Sequence, residues 1–120
     1  MKRDWDVIRQ VLLEVEGLSK SERSNFLYKA SRIKDDTPQS EHAILLWRAG
    51  FLTGVDGSSQ KEEELINPEL TWQGHDLLAT IRSQPIWDRV KLMSVDKGVE
   101  LTFESVKLLG SIALKAVLGG

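Results

Sequence analysis

His42-Ala43-Ile44-Leu45-Leu46-Trp47-Arg48-Ala49-Gly50-Phe51-Leu52, followed at 69–78 by Glu69-Leu70-Thr71-Trp72-Gln73-Gly74-His75-Asp76-Leu77-Leu78, decides how this chain is read. The first block spells a helix stopped at Gly50 and then the start of a strand. The second spells the end of a return strand and the opening of another helix. Between them, Phe51 to Val55 reads as a short strand and Asp56-Gly57-Ser58-Ser59 as a turn. Gln60 to Glu64 is polar and ends in three glutamates, most simply a solvated loop. Leu65 to Thr71 supplies the return strand, and the proline at 68 suits an edge position. Thr71 caps a helix through Leu77, Leu78 and Ile81, and Gly74 inside it signals close packing. Trp72, at the strand–helix junction among leucines, is expected in the core with Trp5.

Upstream, Trp5, Ile8, Val11, Leu12 and Val15 recur at helical spacing behind Asp4 as N-cap, which predicts a helix over 5–16 stopped by Gly17. Ser19-Lys20-Ser21-Glu22 matches a capping box, and Phe26, Leu27, Ala30 and Ile33 extend that helix over 20–34. Thr37 as N-cap and Pro38 at the first helical position open a third helix over 38–49. With a helix over 72–83, the order predicts a mainly α, α+β protein. Residues 1–83 form a winged helix-turn-helix core, and 84–120 form a C-terminal helical extension within a single compact domain.

The extension starts with a short helix opened by Pro85, carrying Ile86, Val90 and Met93 and broken at Asp96-Lys97-Gly98. Thr102 caps a last helix, Phe103 to Leu118, closed by Gly119 and Gly120. Its polar residues Glu104, Lys107, Ser111 and Lys115 form one narrow stripe, and the rest is apolar. Such a helix needs cover on more than one side. Three arrangements provide it: packing within the subunit, pairing with its copy in a dimer, or lying on a membrane. Two lysines and few aromatics disfavour the membrane. Leu108, Leu109, Ile112 and Lys115 are the expected dimer contacts, with the Lys115 ammonium reaching to water.

Composition sets the outer limits. A chain of 120 residues buries a real core without staples, and 41% hydrophobic with 28% charged residues is ordinary for a soluble domain. There is no cysteine, which excludes disulfides, thiolate metal sites and cysteine nucleophiles. No apolar run approaches the roughly 18 residues of a membrane span, and the N-terminus shows no secretory h-region, so a cytoplasmic protein is expected. The net charge of −2 offers nucleic acid no global attraction. Residues 51–100 are the acidic half, with five Lys or Arg against nine Asp or Glu.

The opening Met1-Lys2-Arg3-Asp4-Trp5-Asp6-Val7-Ile8-Arg9 with Leu12-Leu13-Glu14, the His42-x-x-Leu45-Leu46-x-x-Ala49-Gly50-x-Leu52 block, and Leu70-Thr71-Trp72-Gln73-Gly74-His75-Asp76-Leu77-Leu78 with Ile81-Arg82 and Trp87 together resemble one family. It is the small phage- and bacteria-encoded family known as domain of unknown function 2513. The resemblance covers nearly the whole chain and fits residues 18 to 41 least. It implies a winged-helix-like fold and carries no catalytic role.

The residues themselves argue against catalysis. His42 shares a helical face with Leu45, Leu46 and Ala49, as a packed or capping histidine does. His75 suits one structural hydrogen bond. With Asp76 or Glu41 the two histidines lack the spacing of a zinc site. No catalytic residue, cofactor or metal is expected. The fold suggests nucleic acid. With His42, Leu45, Leu46 and Ala49 turned inward, the third helix presents Gln39, Ser40, Ile44, Trp47 and Arg48 to bases or phosphates, and Lys29, Arg32, Lys34, Lys2 and Arg3 supply phosphate contacts.

Two features oppose that reading. Glu62, Glu63 and Glu64 stand where a DNA-binding wing carries Lys or Arg, and Ile44 with Trp47 resembles the centre of a protein interface. Two readings stay open: a phage or prophage DNA-binding regulator, dimeric through its last helix, and a winged-helix adaptor holding a host or phage protein through Ile44 and Trp47. A third arrangement has Ile44 and Trp47 tucked against the C-terminal helix and not exposed at all.

Overall fold

The computed structural model describes residues 1–119; Gly120, expected to help close the last helix, lies outside the described residues. It is a mixed α+β structure of six helices and a three-stranded antiparallel sheet. The chain divides into two compact units, Met1–His75 and the residues from Asp76 onward.

The first unit opens with α1 (Trp5–Gly17), whose N-terminus is capped by the Asp4 carboxylate accepting from Asp6 N and Val7 N. Trp5, Ile8, Val11, Leu12 and Val15 are all buried along one face, the stripe that the helical spacing predicts. Next comes α2, Lys20–Ser24 only, with the Ser19–Glu22 capping box formed in both directions. The helix expected to run on to residue 34 does not exist. Leu27–Ser31 is instead β1, with Tyr28 and Ala30 buried and Leu27 and Lys29 outward. The cause is tertiary. β3 (Glu62–Leu70) lies between β1 and β2 (Leu52–Asp56), so its backbone groups need a ladder on both sides.

The correction moves two further expectations. Glu62, Glu63 and Glu64 belong to β3 rather than a solvated loop, paired with Ser31, Ala30 and Lys29. Pro68 belongs to the strand that is central in the sheet, but it lies beyond the β1 ladder, which ends at Leu27 opposite Ile66, so its position is locally an edge on that side. It is tolerated because β3 bulges there: Asn67 takes φ 57, and between Thr53 and Val55 the register against β2 shifts. Gly54 faces that bulge, where a Cβ would stand 2.5 Å from the Ile66 carbonyl oxygen.

Between β1 and β2 runs α3 (Pro38–Arg48), started by Thr37 accepting from Ser40 N and packed against α1 and the sheet. Tyr28, buried on the inner face of β1, donates its hydroxyl proton to Glu14 of α1. Burial and that carboxylate push the Tyr28 phenol far above its ordinary value. The unfolded tyrosine ionises near pH 10, so stability from this group is complete below about pH 10 and is lost as pH rises beyond it. Urea melts at rising alkaline pH should show that fall. In Tyr28→Phe the alkaline slope should flatten; an unchanged slope would place its origin elsewhere.

α4 (Trp72–Ile81) crosses from the first unit into the second. The second unit comprises the rest of that helix with α5 (Gln84–Lys97) and α6 (Phe103–Leu118). α5 ends at Gly98 in the left-handed conformation, and Thr102 with Ser105 forms a capping box for α6. Ile86, Trp87 and Val90 of α5 are buried, as are Val106, Leu109, Gly110 and Ala113 of α6. Among the described residues no helix is long and apolar enough to cross a membrane.

Candidate functional site

Of the residues named from sequence, Ile44, Arg48 and Arg32 come together at the edge of α3 that faces β1 and β3, whereas Lys29, Lys34 and Gln39 do not. α3 packs on both α1 and the sheet, so its buried arc is wide: His42, Ala43, Ile44 and Leu46. Ile44, expected outward, is buried at 4% exposure, and Ala49, expected inward, is exposed. Leu45 and Trp47 are half-buried, Ser40 likewise, and Gln39 and Arg48 face solvent. His42 holds two backbones together. Its Nε2 accepts the Asp4 N–H at 2.8 Å, so Nδ1 is the nitrogen that donates to the Pro38 carbonyl at 2.7 Å. That is a structural role tying the start of α1 to α3. His75 is exposed.

Strand alternation separates the three glutamates. Glu63, paired with inward Ala30, points to the α3 side and keeps 15% of its side chain exposed. There it receives Arg48 from the last turn of α3, in direct ionic contact, and Arg32 at 3.1 Å from the loop after β1. Arg32 is further fixed by donating Nε–H to the Ser59 carbonyl at 3.0 Å. Lys29 lies outward and reaches Glu62 at 3.8 Å. Three of the cations expected on phosphates are therefore each engaged by a β3 carboxylate. Lys34 remains in the loop after β1, beside Asp36.

That loop is built by Asp36. Its carboxylate accepts from Thr37 N at 2.9 Å and Ser31 N at 3.1 Å, and these backbone donors hold its pKa below the ordinary aspartate value. Glu41 accepts Asp36 N in return. Between α3 and β1 there opens a concavity of about 200 Å³. Ala30, Ile44, Leu45 and Met1 give it apolar walls, and Glu41, Arg48 and Glu63 stand on it as charged groups. Glu63, Glu41 and Asp36 were missed as functional groups. The signal for Glu63 was a period of two across 62–64, visible only once that stretch is read as strand.

No group of three or more His, Asp or Glu that can hold a metal occurs among the described residues. Trp72 is 81% exposed at the start of α4, against the expectation of a core residue. In the second unit, Leu109 is buried at 3% and so leaves the expected dimer set, whereas Leu108 (62%), Ile112 (44%) and Lys115 are exposed.

With this geometry in view, comparison with known proteins gives two findings. A family model described as "Hypothetical protein (DUF2513)" matches residues 2–100, all but the last helix. An uncharacterized protein of Haemophilus influenzae is 36% identical over 118 residues, spanning 98% of this chain and 99% of its own length, α6 therefore included. No solved structure matches.

Proposed function

The chain belongs to the DUF2513 family, and from that footing we propose that it is a non-enzymatic adaptor, winged-helix-like in its first unit, that holds a protein partner at the concavity between α3 and β1. One observation carries the reading: Arg48 and Arg32 both close on Glu63 beside an apolar pocket. One carboxylate offsets part of the charge of these two arginines, so they bring less counterion release to a duplex than two unpaired ones would. The first unit holds ten Lys or Arg against thirteen Asp or Glu, which repels phosphate further. An arginine at the mouth of an apolar pocket suits an anchor side chain of another protein. A pocket of about 200 Å³ matches one such side chain.

The DNA-binding regulator keeps one supporting observation. β2 and β3 form a hairpin directly after α3, in a sheet ordered β1-β3-β2, as a wing follows a recognition helix. No helix abuts α3 through a short turn, since β1 intervenes, and this weakens the helix-turn-helix analogy. Phage origin and a cytoplasmic setting accompany either reading.

The test is a pull-down from nuclease-treated Haemophilus influenzae lysate at about 0.15 M salt, beside a duplex shift assay. Wild type should retain a protein that Leu45→Asp, a change at the half-exposed wall of the pocket, releases while keeping its helical circular dichroism. Retention of duplex with a steep salt dependence, weakened by Arg48→Ala and Arg32→Glu, together with no protein capture, would return the assignment to a regulator.

A further inference from the structure

The outward face of α6 is left uncovered, and its chemistry specifies what covers it. Along that face Glu104, Leu108, Ser111 and Lys115 follow one another at intervals of four, three and four, with Ile112 at its margin. These are the spacings that keep residues on one side of a helix. All five are exposed or nearly so: Leu108 at 62% and Ile112 at 44%, with Glu104, Ser111 and Lys115 exposed. The opposite face, Val106, Leu109, Gly110 and Ala113, is buried. The exposed stripe is thus acidic at its start, apolar at Leu108 and along the Ile112 margin, and basic at its end, with Lys107 exposed on the other margin. Neither Glu104 nor Lys115 makes an ion pair within the described residues.

We propose that α6 pairs antiparallel with α6 of a second copy of this chain, about a two-fold axis crossing the helix near residue 110. A two-fold of this kind reverses the stripe on itself. Glu104 then meets Lys115 of the second copy at each end, and Leu108 meets Ile112 of the second copy on the same side of the axis. The two demands agree: 104 with 115 and 108 with 112 have midpoints half a residue apart, under about 1 Å along a helix rising 1.5 Å per residue. A parallel pairing fails, because it sets Glu104 against Glu104 and Lys115 against Lys115.

Ser111 makes close approach tolerable. It is small, and its hydroxyl already donates to the Lys107 carbonyl at 2.9 Å, so burial leaves no unsatisfied donor. The pairing is independent of the reading of the α3 concavity, which lies in the other unit.

The charges at the two ends make the test self-checking. Sedimentation of the full chain at tens of micromolar should show a dimer. Lys115→Glu should raise the dissociation constant at least about tenfold, because like charges then face each other at both ends. Adding Glu104→Lys to that variant exchanges the signs and should restore the wild-type constant. Ile112→Asp, whose side chain is partly exposed in the monomer, should abolish dimerisation while circular dichroism stays helical. A wild-type monomer overturns the proposal and leaves the face to a different molecule. A dimer indifferent to Lys115→Glu, or one that the double exchange fails to rescue, overturns it as well and points to another surface or a parallel arrangement.

Discussion

Trp5→Ala is expected to cost about 3–5 kcal/mol in urea unfolding, the range for deleting a large buried aromatic. Trp72→Ala is expected to stay within about 0.5 kcal/mol, as exposed positions do. Trp5 opens α1 at 6% exposure on the same face as Ile8, Val11, Leu12 and Val15, so truncation leaves a cavity at the head of the main apolar stripe. It also stands beside the joint where Asp4 donates its backbone N–H to His42, which ties α1 to α3. Trp72 leads α4 and keeps 81% of its surface in water. A cost above about 2 kcal/mol for Trp72→Ala would mean that its side chain is covered in solution, well outside the range for surface changes. A loss below about 1 kcal/mol for Trp5→Ala would remove it from the core.

The contrast between the two tryptophans shows where sequence reasoning holds. Trp5 was placed by a repeated spacing, five apolar residues on one helical face, and each member is buried. Trp72 was placed by its neighbours Leu70, Leu77 and Leu78 alone. Those three are buried, but the first residue of a helix points where the cap sends it, and a position without periodic partners has no assigned face. Caps were equally legible. Asp4, Ser19, Thr37 and Thr102 were each read as N-caps, and each side chain accepts from the backbone of the first turn. A cap is written in a few adjacent residues, so no distant contact alters it.

β1 was not legible because its residues fit two periods at once. Phe26, Leu27, Ala30 and Ile33 suit a helix, whereas Tyr28 and Ala30 suit the inner face of a strand, and Leu27–Ser31 holds no β-branched residue to decide. The decision lies over thirty residues away in sequence, in the free edge of β3 that Leu27–Ser31 completes. That one strand accounts for most of the difference between the site expected from spacing and the site formed. Without β1 there is no sheet face beneath α3, and helical spacing alone turns Ile44 outward and leaves Glu63 in a loop. With β1 in place, Ile44 becomes a wall of the concavity and Glu63 the acceptor for Arg48 and Arg32. The same three cations that suggested phosphate contacts are the ones that the sheet neutralises or engages. Functional inference from a basic residue therefore depended on a strand that no local signal announced.

Gly74→Ala is expected to destabilise the chain by about 2–3 kcal/mol, at the upper end of the usual cost of overpacking a tight site. A Cβ at Gly74 would lie 2.1 Å from the Phe51 carbonyl oxygen and 3.2 Å from its carbon. That carbonyl cannot withdraw cheaply. It accepts from Thr71 N at 3.1 Å, while the Thr71 hydroxyl donates to the Gly50 carbonyl at 2.6 Å and accepts from Gly74 N at 3.1 Å. The start of α4 is thereby bonded directly to the segment between α3 and β2, and the missing side chain at 74 is what lets the two backbones approach. Relief would break at least one of those three bonds or tilt α4 away from Leu70, whose Cβ is 3.5 Å from the same point. Gly17→Ala supplies the control. It too sits in a helix, has nothing within 4 Å of the added carbon, and should leave stability unchanged or raise it by roughly 0.4–1 kcal/mol through the unfolded chain. Comparing the two variants in the same denaturant separates close approach from intrinsic helix preference, because both replace glycine by a better helix former. If Gly74→Ala matched Gly17→Ala, the contact with Phe51 would not exist in solution, and the glycine at 74 would need another reason.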